Sequence, residues 1–525
     1  MPPQALAAVA TLLSFAVHGN RVDLRLDRGS AELVWKSPGV FHLRRSLEGP
    51  LPAQAPSKGT DKDAPAEPFD LRVDEDSSTL RVRSRVLEVK LRKHGLLVTA
   101  ARVDGEVLMV DLSEPAPGPR GGAIWERQAP TGVRYYGLGP RTAMDFDLRG
   151  QTVRGENAFL LSTAGYAEYH PGSGPFQFDF TAPDRYRVEA PAVDYYFLYG
   201  ATPKQIFEQA NAVRGPSTVW NVAPQDAVGG GTWPALQASL LRLVHAAISG
   251  VNEPSLRLAP YADAPAELRE RARQTASLLP EVDPAPLGLS DFRARLGPFL
   301  MAYAVEARDR GFPLWHPLPF EFPADPECAR HADEFLLGDE MLIAPIYQPG
   351  NRRSVYLPPG IWTSLETNAV TNGRQTIVVN TAALPVFARN GSIVPLDVSG
   401  KDVAGKDVPG EIELHYFPTL PAEFFLLEND VTDWTQVHAA PAADVMRLEI
   451  EPKAARAYHW VVHHVERPGG VSFPEAAGSK AGRYREAASL ASLQPGAWFW
   501  DGARKNLHIR LRAQAGQDAI LNVAW

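Results

Sequence analysis

Carboxylate side chains are the first residues of this 525-residue chain that could do chemistry. Glu281 and Asp283 stand two apart between Pro280 and Pro284, and Asp226 lies shortly before a run of three glycines. Two carboxyl groups held close together can divide the acid and base roles of a proton transfer between them. Acids in such segments are usually solvated and have no chemical role, however. We keep Asp226, Glu281 and Asp283 only as secondary catalytic candidates.

Histidines are the next candidates, and the densest group is His459, His463 and His464. A spacing of four on a helix would let two histidines share a metal ion. The intervening residues 460–462 predict a strand instead, which separates His459 from His463 by roughly 13 Å and sends His463 and His464 to opposite faces. We therefore predict packed or solvated histidines, no metal site and no other cofactor. His245, on a predicted helix, receives the same interpretation.

The composition is that of an ordinary globular protein, with 45% hydrophobic and 22% charged residues. The length is too great for one core and predicts three or four domains. The formal net charge of -8 is spread along the chain, whereas a nucleic-acid surface needs clustered Lys and Arg. No apolar run reaches the ~18 residues of a membrane helix. We predict neither a nucleic-acid partner nor a membrane partner.

The apolar stretch at residues 5–17 resembles a signal peptide only in its hydrophobicity. No Lys or Arg precedes it, since the first is Arg21, and the stretch passes into an alternating pattern at 22–26. We expect it to form the first strand of the fold. The one cysteine, Cys328, excludes an internal disulfide and a cysteine metal cluster. A reducing compartment is compatible with this, and a cytoplasmic location is expected.

The elements that must position these residues change type along the chain. Alternating apolar residues and two-residue breaks such as Asp104-Gly105 predict a large antiparallel β-sandwich at the start. Helical periodicity follows in four segments: 203–213, 233–248, 266–279 and 291–310, the last with a possible break at Pro298. Strand patterns then return to the end of the chain. The predicted domains are 1–215, 216–345, 346–410 and 411–525.

Eight segments carry motifs in a recognisable order. They are residues 135–141 (YYGLGPR), 194–204 (DYYFLYGATPK), 295–303, 311–318 (GFPLWHPL), 321–325, 335–345 (FLLGDEMLIAP), 355–362 and 385–395 (PVFARNGSIVP). In this order they resemble glycoside hydrolase family 31, the α-glucosidase and α-xylosidase family. Pro140 stands where the family usually has glutamate, and His316 stands where it usually has arginine. The family's counterpart of Asp339 and Glu340 is structural.

The resemblance implies a galactose-mutarotase-like N-terminal β-sandwich, a catalytic (β/α)8 barrel and two C-terminal β-sandwich domains. Such a barrel typically takes about 250 residues and rarely fewer than about 200. Only 128 residues, 216 to 343, separate Gly215 from Ala344. We therefore predict a multidomain, mostly β fold with a reduced, mainly helical remnant of the barrel.

The resemblance also indicates which catalytic residues are missing. Trp233 to Pro280 is similar to the barrel segment that follows the family's acid/base aspartate, yet residues 228–232 hold no carboxylate. The strand that bears the family's nucleophile has no counterpart, and residues 280–284 lack the histidine that touches the sugar. A retaining glycosidase needs two carboxyl groups about 5 Å apart. We match no catalytic residue and expect no α-glycosidase activity.

Aromatic side chains are the sugar-binding candidates, because sugars present apolar faces to aromatic rings. Tyr166, Tyr169 and His170 lie in a predicted loop, Thr163–Pro175, that resembles the family's loop beside the sugar pocket. Trp233 is the fourth candidate, although packing in the core is favoured for it. The expected ligand is a carbohydrate of the α-glucoside or α-xyloside type.

Three functions remain open. The favoured one is a catalytically degenerate family 31 homologue of carbohydrate metabolism that keeps a carbohydrate-binding or regulatory role. The second is an active α-glycosidase that uses unaligned carboxylates or a partner chain. The third is a structural or interaction subunit. Since a reduced barrel exposes apolar edges and faces, a homo-oligomer or a partner subunit that covers it is also expected.

Overall fold

A computed structural model shows a chain that is 43% strand and 16% helix. The structure describes residues 9–52, 69–155, 157–172, 174–215, 230–251, 256–279, 287, 290–398, 410–428, 432–475 and 481–525. The chain divides into two compact units. The N-terminal unit comprises Met1–Ser217, His245–Val251 and Asp309–Pro313, and the C-terminal unit comprises Thr218–Val244, Asn252–Arg308 and Leu314–Trp525.

The described strands of the N-terminal unit are all antiparallel where they pair. They are β1 (Leu12–His18), β2 (Arg21–Leu26), β3 (Ser30–Ser37), β4 (Val40–Ser46), β5 (Arg72–Glu75), β6 (Thr79–Arg83), β7 (Leu87–Arg92), β8 (Val98–Arg102), β9 (Val107–Val110), β10 (Ala116–Pro117), β11 (Ala123–Gln128), β12 (Tyr135–Gly137), β13 (Thr152–Gly155), β14 (Phe159–Ser162), β15 (Tyr166–Tyr169), β16 (Phe176–Asp179), β17 (Arg185–Ala190) and β18 (Val193–Tyr199). The predicted first strand is confirmed as β1, which pairs with β2.

Three sheets build this unit, with strand orders β1-β2-β3-β4-β18-β15-β14-β12, β10-β11-β17-β16-β13 and β5-β6-β7-β8-β9. Alternating apolar residues explain the strands: in β6, Leu80 and Val82 are buried while their neighbours are partly exposed. The core contains large aromatic side chains, among them Trp35, Trp125 and Phe197. The predicted antiparallel sandwich is present.

The α-helices among the described residues are α1 (Pro203–Arg214), α2 (Trp233–Ile248), α3 (Ala266–Ala276), α4 (Asp291–Arg295), α5 (Gly297–Arg310) and α6 (Leu318–Glu321). The first two match the predicted segments. The third ends three residues early, where the Ser277 hydroxyl donates to Arg273 O at 2.7 Å. The predicted break lies at Leu296, between α4 and α5, and Pro298 is the second residue of α5. Proline is tolerated there because the N–H groups of the first turn of a helix have no partner within the helix. No helix among the described residues is long and apolar enough to cross a membrane.

The described strands of the C-terminal unit are β19 (Trp315–Pro317), β20 (Phe335–Leu337), β21 (Met341–Ile343), β22 (Arg352–Leu357), β23 (Ile361–Ser364), β24 (Val370–Asn372), β25 (Gln375–Asn380), β26 (Val386–Arg389), β27 (Ser392–Asp397), β28 (Ile412–Phe417), β29 (Ala422–Leu427), β30 (Trp434–Ala440), β31 (Val445–Glu451), β32 (Arg456–Val462), β33 (Gly470–Phe473), β34 (Gly482–Arg483), β35 (Arg485–Glu486), β36 (Ala497–Asp501), β37 (Asn506–Ala513) and β38 (Ala519–Ala524). Its larger sheets have the orders β19-β20-β21-β26-β23-β24, β27-β28-β32-β37-β36-β35 and β29-β30-β31-β38-β33-β34, and β22 pairs with β25.

Strand direction bears on the barrel prediction. Among the described residues, the parallel pairs are β28 with β32 and β35 with β36, both near the C-terminus. The described strands between Gly215 and Ala344 are β19, β20 and β21, which pair antiparallel. The described part of this region thus forms no ring of parallel strands. The predicted multidomain, mostly β fold without a full barrel is confirmed, while the four domain boundaries stay a prediction.

Candidate functional site

The three secondary carboxylate candidates cannot be placed. Asp226, Glu281 and Asp283 all lie outside the described residues. Their catalytic role stays a prediction.

The start of α2 is the place where the resemblance locates the acid/base residue. Thr232 caps this helix, because its hydroxyl oxygen accepts the Ala235 N–H at 3.3 Å. Gly231 precedes the cap, and a Cβ there would lie 2.1 Å from the Pro260 carbonyl oxygen. Gly230 faces open space but has a φ of +81°, a conformation that strains residues with a side chain. Neither glycine can be replaced by an acid without strain.

Trp233 is the first residue of α2, and its side chain is partly exposed. Part of its surface therefore remains accessible. A sugar contact by Trp233 stays a prediction.

The predicted aromatic loop is wrong, because residues 166–169 form strand β15. This strand pairs with β14 on one side and β18 on the other. Tyr166 and His170 are only 1% and 2% exposed, so neither ring has a face that a sugar could reach in this conformation. The strand could not be predicted from the local sequence, because the residues on either side of it are typical of turns. One of its partner strands, β18, lies further along the chain.

His170 belongs to a buried charge network of the N-terminal unit. Glu168 pairs with Arg127, accepts the Tyr186 hydroxyl at 2.6 Å and lies 3.4 Å from His170 Nε2. Arg127 also donates to Asp111 at 2.9 Å. Burial raises the pKa of Glu168, but Arg127 and His170 outweigh it and lower the pKa to about 2. These groups therefore stabilise the interior of the sandwich and do not form a ligand site.

Tyr169 keeps the features of a sugar platform. Its ring is partly exposed and stacks on Tyr196 at a centroid distance of 6.1 Å. The Arg214 guanidinium lies 4.6 Å from the Tyr169 ring centroid, and it also donates to Gly250 O at 2.8 Å. The ring is thus held by two neighbouring side chains while part of it remains accessible. Tyr169 is the strongest of the four predicted sugar-binding residues.

His245 is packed, as one of its predicted interpretations required. It is 0% exposed, its Nε2 lies 2.8 Å from Ala143 O, and its ring centroid lies 4.9 Å from that of Phe146. Burial lowers the pKa of His245 to about 3. The side chain is therefore neutral at physiological pH and joins two segments of the N-terminal unit.

Of the C-terminal histidines, His459 lies in β32, while His463 and His464 directly follow this strand. His459 Nε2 lies 3.1 Å from His508 Nδ1, and His463 Nε2 lies 3.0 Å from His415 Nδ1. Glu413 is hydrogen-bonded to both pairs, 3.3 Å from His459 and 3.2 Å from His415. These are hydrogen-bond distances that need no ion. The groups that contact His459 and His463 come from β28 and β37. Strand pairing brings them together, and the spacing of the histidines in the sequence does not reveal this.

A constellation absent from the sequence analysis centres on His316. His316 follows Trp315 in β19 and is 0% exposed. Its Nδ1 lies 2.8 Å from Glu321 Oε1 and 3.3 Å from Asp339 Oδ1. Burial by itself lowers the pKa of His316, but hydrogen bonds to Asp339 and Glu321 outweigh it and raise the pKa to about 9. The ring is therefore an imidazolium at neutral pH and keeps the positive charge of the arginine that the family usually has here.

The neighbouring turn fixes this cluster against α5. The Tyr303 hydroxyl donates to Glu340 Oε2 at 2.6 Å, and the Asp339 N–H donates to the same oxygen at 3.0 Å. Burial and the nearby Asp339 raise the pKa of Glu340 to about 8. Gly338 has a φ of +60°, and a Cβ there would lie 2.3 Å from the Tyr303 ring. Only glycine fits this turn.

The stability of this region should fall as the pH rises. A histidine whose pKa is raised on folding stabilises the protein fully below pH 6.5 and loses that effect as the pH approaches 9, a change of about 3 kcal/mol. Glu340 acts in the same direction between pH 4.5 and 8. We expect amide hydrogen exchange in peptides covering 297–345 to accelerate from pH 7 to 9 beyond the intrinsic rate.

His316→Arg is the matched control, because guanidinium stays charged over this range. It should remove the part of the pH dependence above pH 8. Equal pH dependence in the wild type and His316→Arg would contradict a charged His316.

Among the described residues, two groups have the spacing of metal ligands, each with one histidine and two carboxylates whose ligand atoms lie within 4.8 Å of one another. The first is the His316 cluster, where the N–H at Nδ1 faces both carboxylates at 2.8 and 3.3 Å. The second consists of His331, Asp333 and Glu334. There Arg353 donates to Asp333 at 2.7 Å, so the protein itself supplies the positive charge. The absence of a metal centre stays a prediction.

Comparison with known sequences gives partial matches. A family model described as the glycosyl hydrolase family 31 C-terminal domain matches residues 311–394. The alpha-glucosidase of Saccharolobus solfataricus is 36% identical over 107 residues, which are 20% of this chain and 15% of that protein. Alpha-glucosidase 2 of Bacillus thermoamyloliquefaciens is 31% identical over 157 residues, 29% of this chain and 19% of that protein. The matched segments span less than a fifth of the length of either relative.

Comparison with solved structures extends over the whole chain. A GH31 dextranase of Flavobacterium johnsoniae, solved in complex with isomaltotriose, superposes with a TM-score of 0.79. The alignment covers 99% of this chain and 100% of the dextranase chain at 15% sequence identity. At that identity the likeness concerns the fold alone.

Proposed function

Because this chain belongs to glycoside hydrolase family 31, we propose that it binds α-linked glucose oligosaccharides without hydrolysing them. It is a glycoside hydrolase-like protein of carbohydrate metabolism. Its role would be to capture or sense the sugar, and catalysis would fall to other members of the family.

The backbone at Gly231 is the observation that carries the proposal. The resemblance locates the acid/base aspartate a few residues before Trp233, in the stretch 228–232, and Gly231 is a described residue of this stretch whose Cβ direction is blocked by Pro260 O at 2.1 Å. General acid catalysis requires a carboxyl group there. A backbone that leaves no room for a side chain favours a site that no longer performs this step.

Glu321 and Asp339 are the described carboxylates to consider for the alternative function, an active α-glycosidase, since their oxygens lie within 4.8 Å of each other. A retaining glycosidase needs one protonated acid and one ionised nucleophile. Both carboxylates here face the same His316 Nδ1, so both are engaged by one buried side chain of the protein. Glu321 is also only 5% exposed in its side chain. This pair is better suited to structure than to hydrolysis.

The ligand class comes from the structural relative. The dextranase was solved with isomaltotriose, a short α-glucan. Tyr169, partly exposed and in contact with Tyr196 and Arg214, provides one aromatic platform of the kind that stacks on a sugar ring. A second subunit over the barrel remnant would belong to the same proposal.

An activity assay tests the catalytic half of the proposal. Purified protein at high concentration is incubated with 4-nitrophenyl α-glucoside and α-xyloside, beside the Glu321→Gln variant. We expect no nitrophenol release above that of a mock purification. Release that Glu321→Gln abolishes would establish an active enzyme and overturn the proposal.

A binding experiment tests the other half. Isomaltotriose and maltotriose are titrated into the wild-type protein by calorimetry, with cellotriose as a β-linked control. Binding of the α-linked trisaccharides at up to millimolar concentration is expected. The absence of heat with every sugar would favour a structural or interaction subunit instead.

A further inference from the structure

We infer that the C-terminal unit carries a binding groove for a neutral oligosaccharide where the ends of β33, β34, β37 and β38 meet. The inference rests on the proposed sugar-binding function and assigns it a site whose lining residues the family resemblance did not single out in the sequence. A half-open cavity of about 430 Å³ lies there. Small-molecule sites typically have about 300–1,000 Å³, so the groove has the size of a ligand site.

The crossing of the chain between two sheets creates the groove. Strand β37 belongs to the sheet that contains β28, and β38 belongs to the sheet that contains β31. The turn between them closes with Gln517 N–H donating to Gln514 O at 3.2 Å. Gly516 has a φ of +72° and its N–H donates to Pro452 O at 2.8 Å. The turn is therefore anchored, and it holds the polar side chains next to it at one wall of the groove.

Two aromatic rings also line the groove. Phe473 ends β33 and Tyr484 follows β34, and their ring centroids lie 5.5 Å apart at an angle of 62°. Gly482 fixes the Phe473 ring, because a Cβ on this glycine would lie 2.5 Å from it. Both rings are partly exposed and line the cavity. Rigid aromatic surface of this kind matches the C–H face of a pyranose.

The remaining lining separates into an apolar floor and a polar rim. Leu511 and Leu521 are buried beneath the groove. The exposed rim includes the amide side chains of Gln514 and Gln517. An amide donates and accepts hydrogen bonds at once, and a sugar hydroxyl does the same. A ring with one apolar face and a hydroxyl edge therefore satisfies both surfaces together.

The charges of the rim favour a neutral ligand. Glu475 and Asp518 supply two carboxylates, and Arg512 supplies one guanidinium. Asp518 also interacts electrostatically with Arg447. The two carboxylates outnumber the one guanidinium, so a phosphorylated or carboxylated sugar would face an excess of like charge at the rim. The groove thus selects for hydroxyl groups and against an anionic substituent.

Three variants of the full chain test the site by calorimetry with isomaltotriose and maltotriose. Tyr484→Ala removes an aromatic wall, and Gln514→Ala changes only an exposed amide, which leaves folding intact. Phe425→Ala is the matched control, because this ring is 42% exposed on the same sandwich outside the groove. We expect Tyr484→Ala to weaken binding about tenfold and Gln514→Ala to weaken it about fivefold. Phe425→Ala should bind like the wild type.

The outcomes separate this inference from the proposed function. If Tyr169→Ala abolishes binding while Tyr484→Ala and Gln514→Ala do not change it, the groove is refuted and the sugar-binding function stands. If the wild type binds no sugar, both fall. If glucose 6-phosphate binds more tightly than glucose, and Tyr484→Ala removes that preference, the ligand is anionic and the assignment of a neutral sugar is wrong.

Discussion

The Glu168→Ala variant should be destabilised by about 3–5 kcal/mol, the range found when one partner of a buried ion pair is removed. Arg127 is 0% exposed, so its guanidinium would keep only Asp111 as a charged partner among the contacts described. The Tyr186 hydroxyl would also lose its acceptor at 2.6 Å. Hydrogen exchange in peptides covering 111–135 and 159–190 measures the loss without requiring the two units to unfold together.

Glu126→Ala is the control for this prediction. Glu126 lies in the same strand as Arg127, but its pairs with Arg185 and Arg187 are at the surface, where such pairs contribute about 0–1 kcal/mol. The acid side of the pH profile gives a second check. Because the pKa of Glu168 is lowered on folding, its contribution is present above pH 4.5 and disappears as the pH falls toward 2. A wild type and a Glu168→Ala variant with equal stability at pH 7 would refute the network.

The Gly231→Asp variant should lose about 3 kcal/mol or more, at the upper end of overpacking costs, and should gain no hydrolytic activity. The new Cβ would have to lie 2.1 Å from Pro260 O, with Pro260 C at 3.1 Å as well. The helix cap at Thr232 or the turn at Ala259–Tyr261 would then have to move. Thermal unfolding and the nitrophenyl glycoside assay are the measurements.

Gly230→Ala separates steric conflict from backbone conformation. This residue has no neighbour within 4 Å of a Cβ but has a φ of +81°, so the variant should cost only about 1–2 kcal/mol. If Gly231→Asp is as stable as the wild type, the backbone leaves room for an acid. If the Gly231→Asp variant also hydrolyses α-glucosides, one substitution is enough to produce catalysis. The proposal that the backbone at Gly231 prevents catalysis would then be wrong.

Local pattern predicted the regular elements well where each element follows its own periodicity. The helix at 233–248 matches α2 (Trp233–Ile248), and the expected first strand is β1 (Leu12–His18). The stripe of Leu236, Leu240 and Val244 is buried along α2. Such elements are readable because the apolar residues that form them lie close together in sequence.

The same approach failed at the aromatic candidates. Residues 163–175 contain turn residues and predicted an exposed loop, but β15 pairs with β18, about 30 residues further along. Burial of Tyr166 and His170 depends on that distant strand and on Arg127 from β11. Hydropathy does not distinguish a tyrosine in a loop from one in a central strand. A sugar contact by Tyr169 stays a prediction, and only the tertiary structure shows that Arg214 and Tyr196 hold its ring.

The sequence alone indicated the β-rich ends and the helical middle, because both follow from the periodicity of apolar residues. It also indicated that a full barrel is absent, because only 128 residues separate Gly215 from Ala344. Tertiary structure alone decided which polar groups meet: Glu321 and Asp339 at His316, Glu168 at Arg127, and the rings of Phe473 and Tyr484 beside the turn at Gly516. The physical reason is that charge, burial and aromatic contact act across space. Their partners are brought together by strand pairing and sheet crossing, and neither is encoded in the spacing of neighbouring residues.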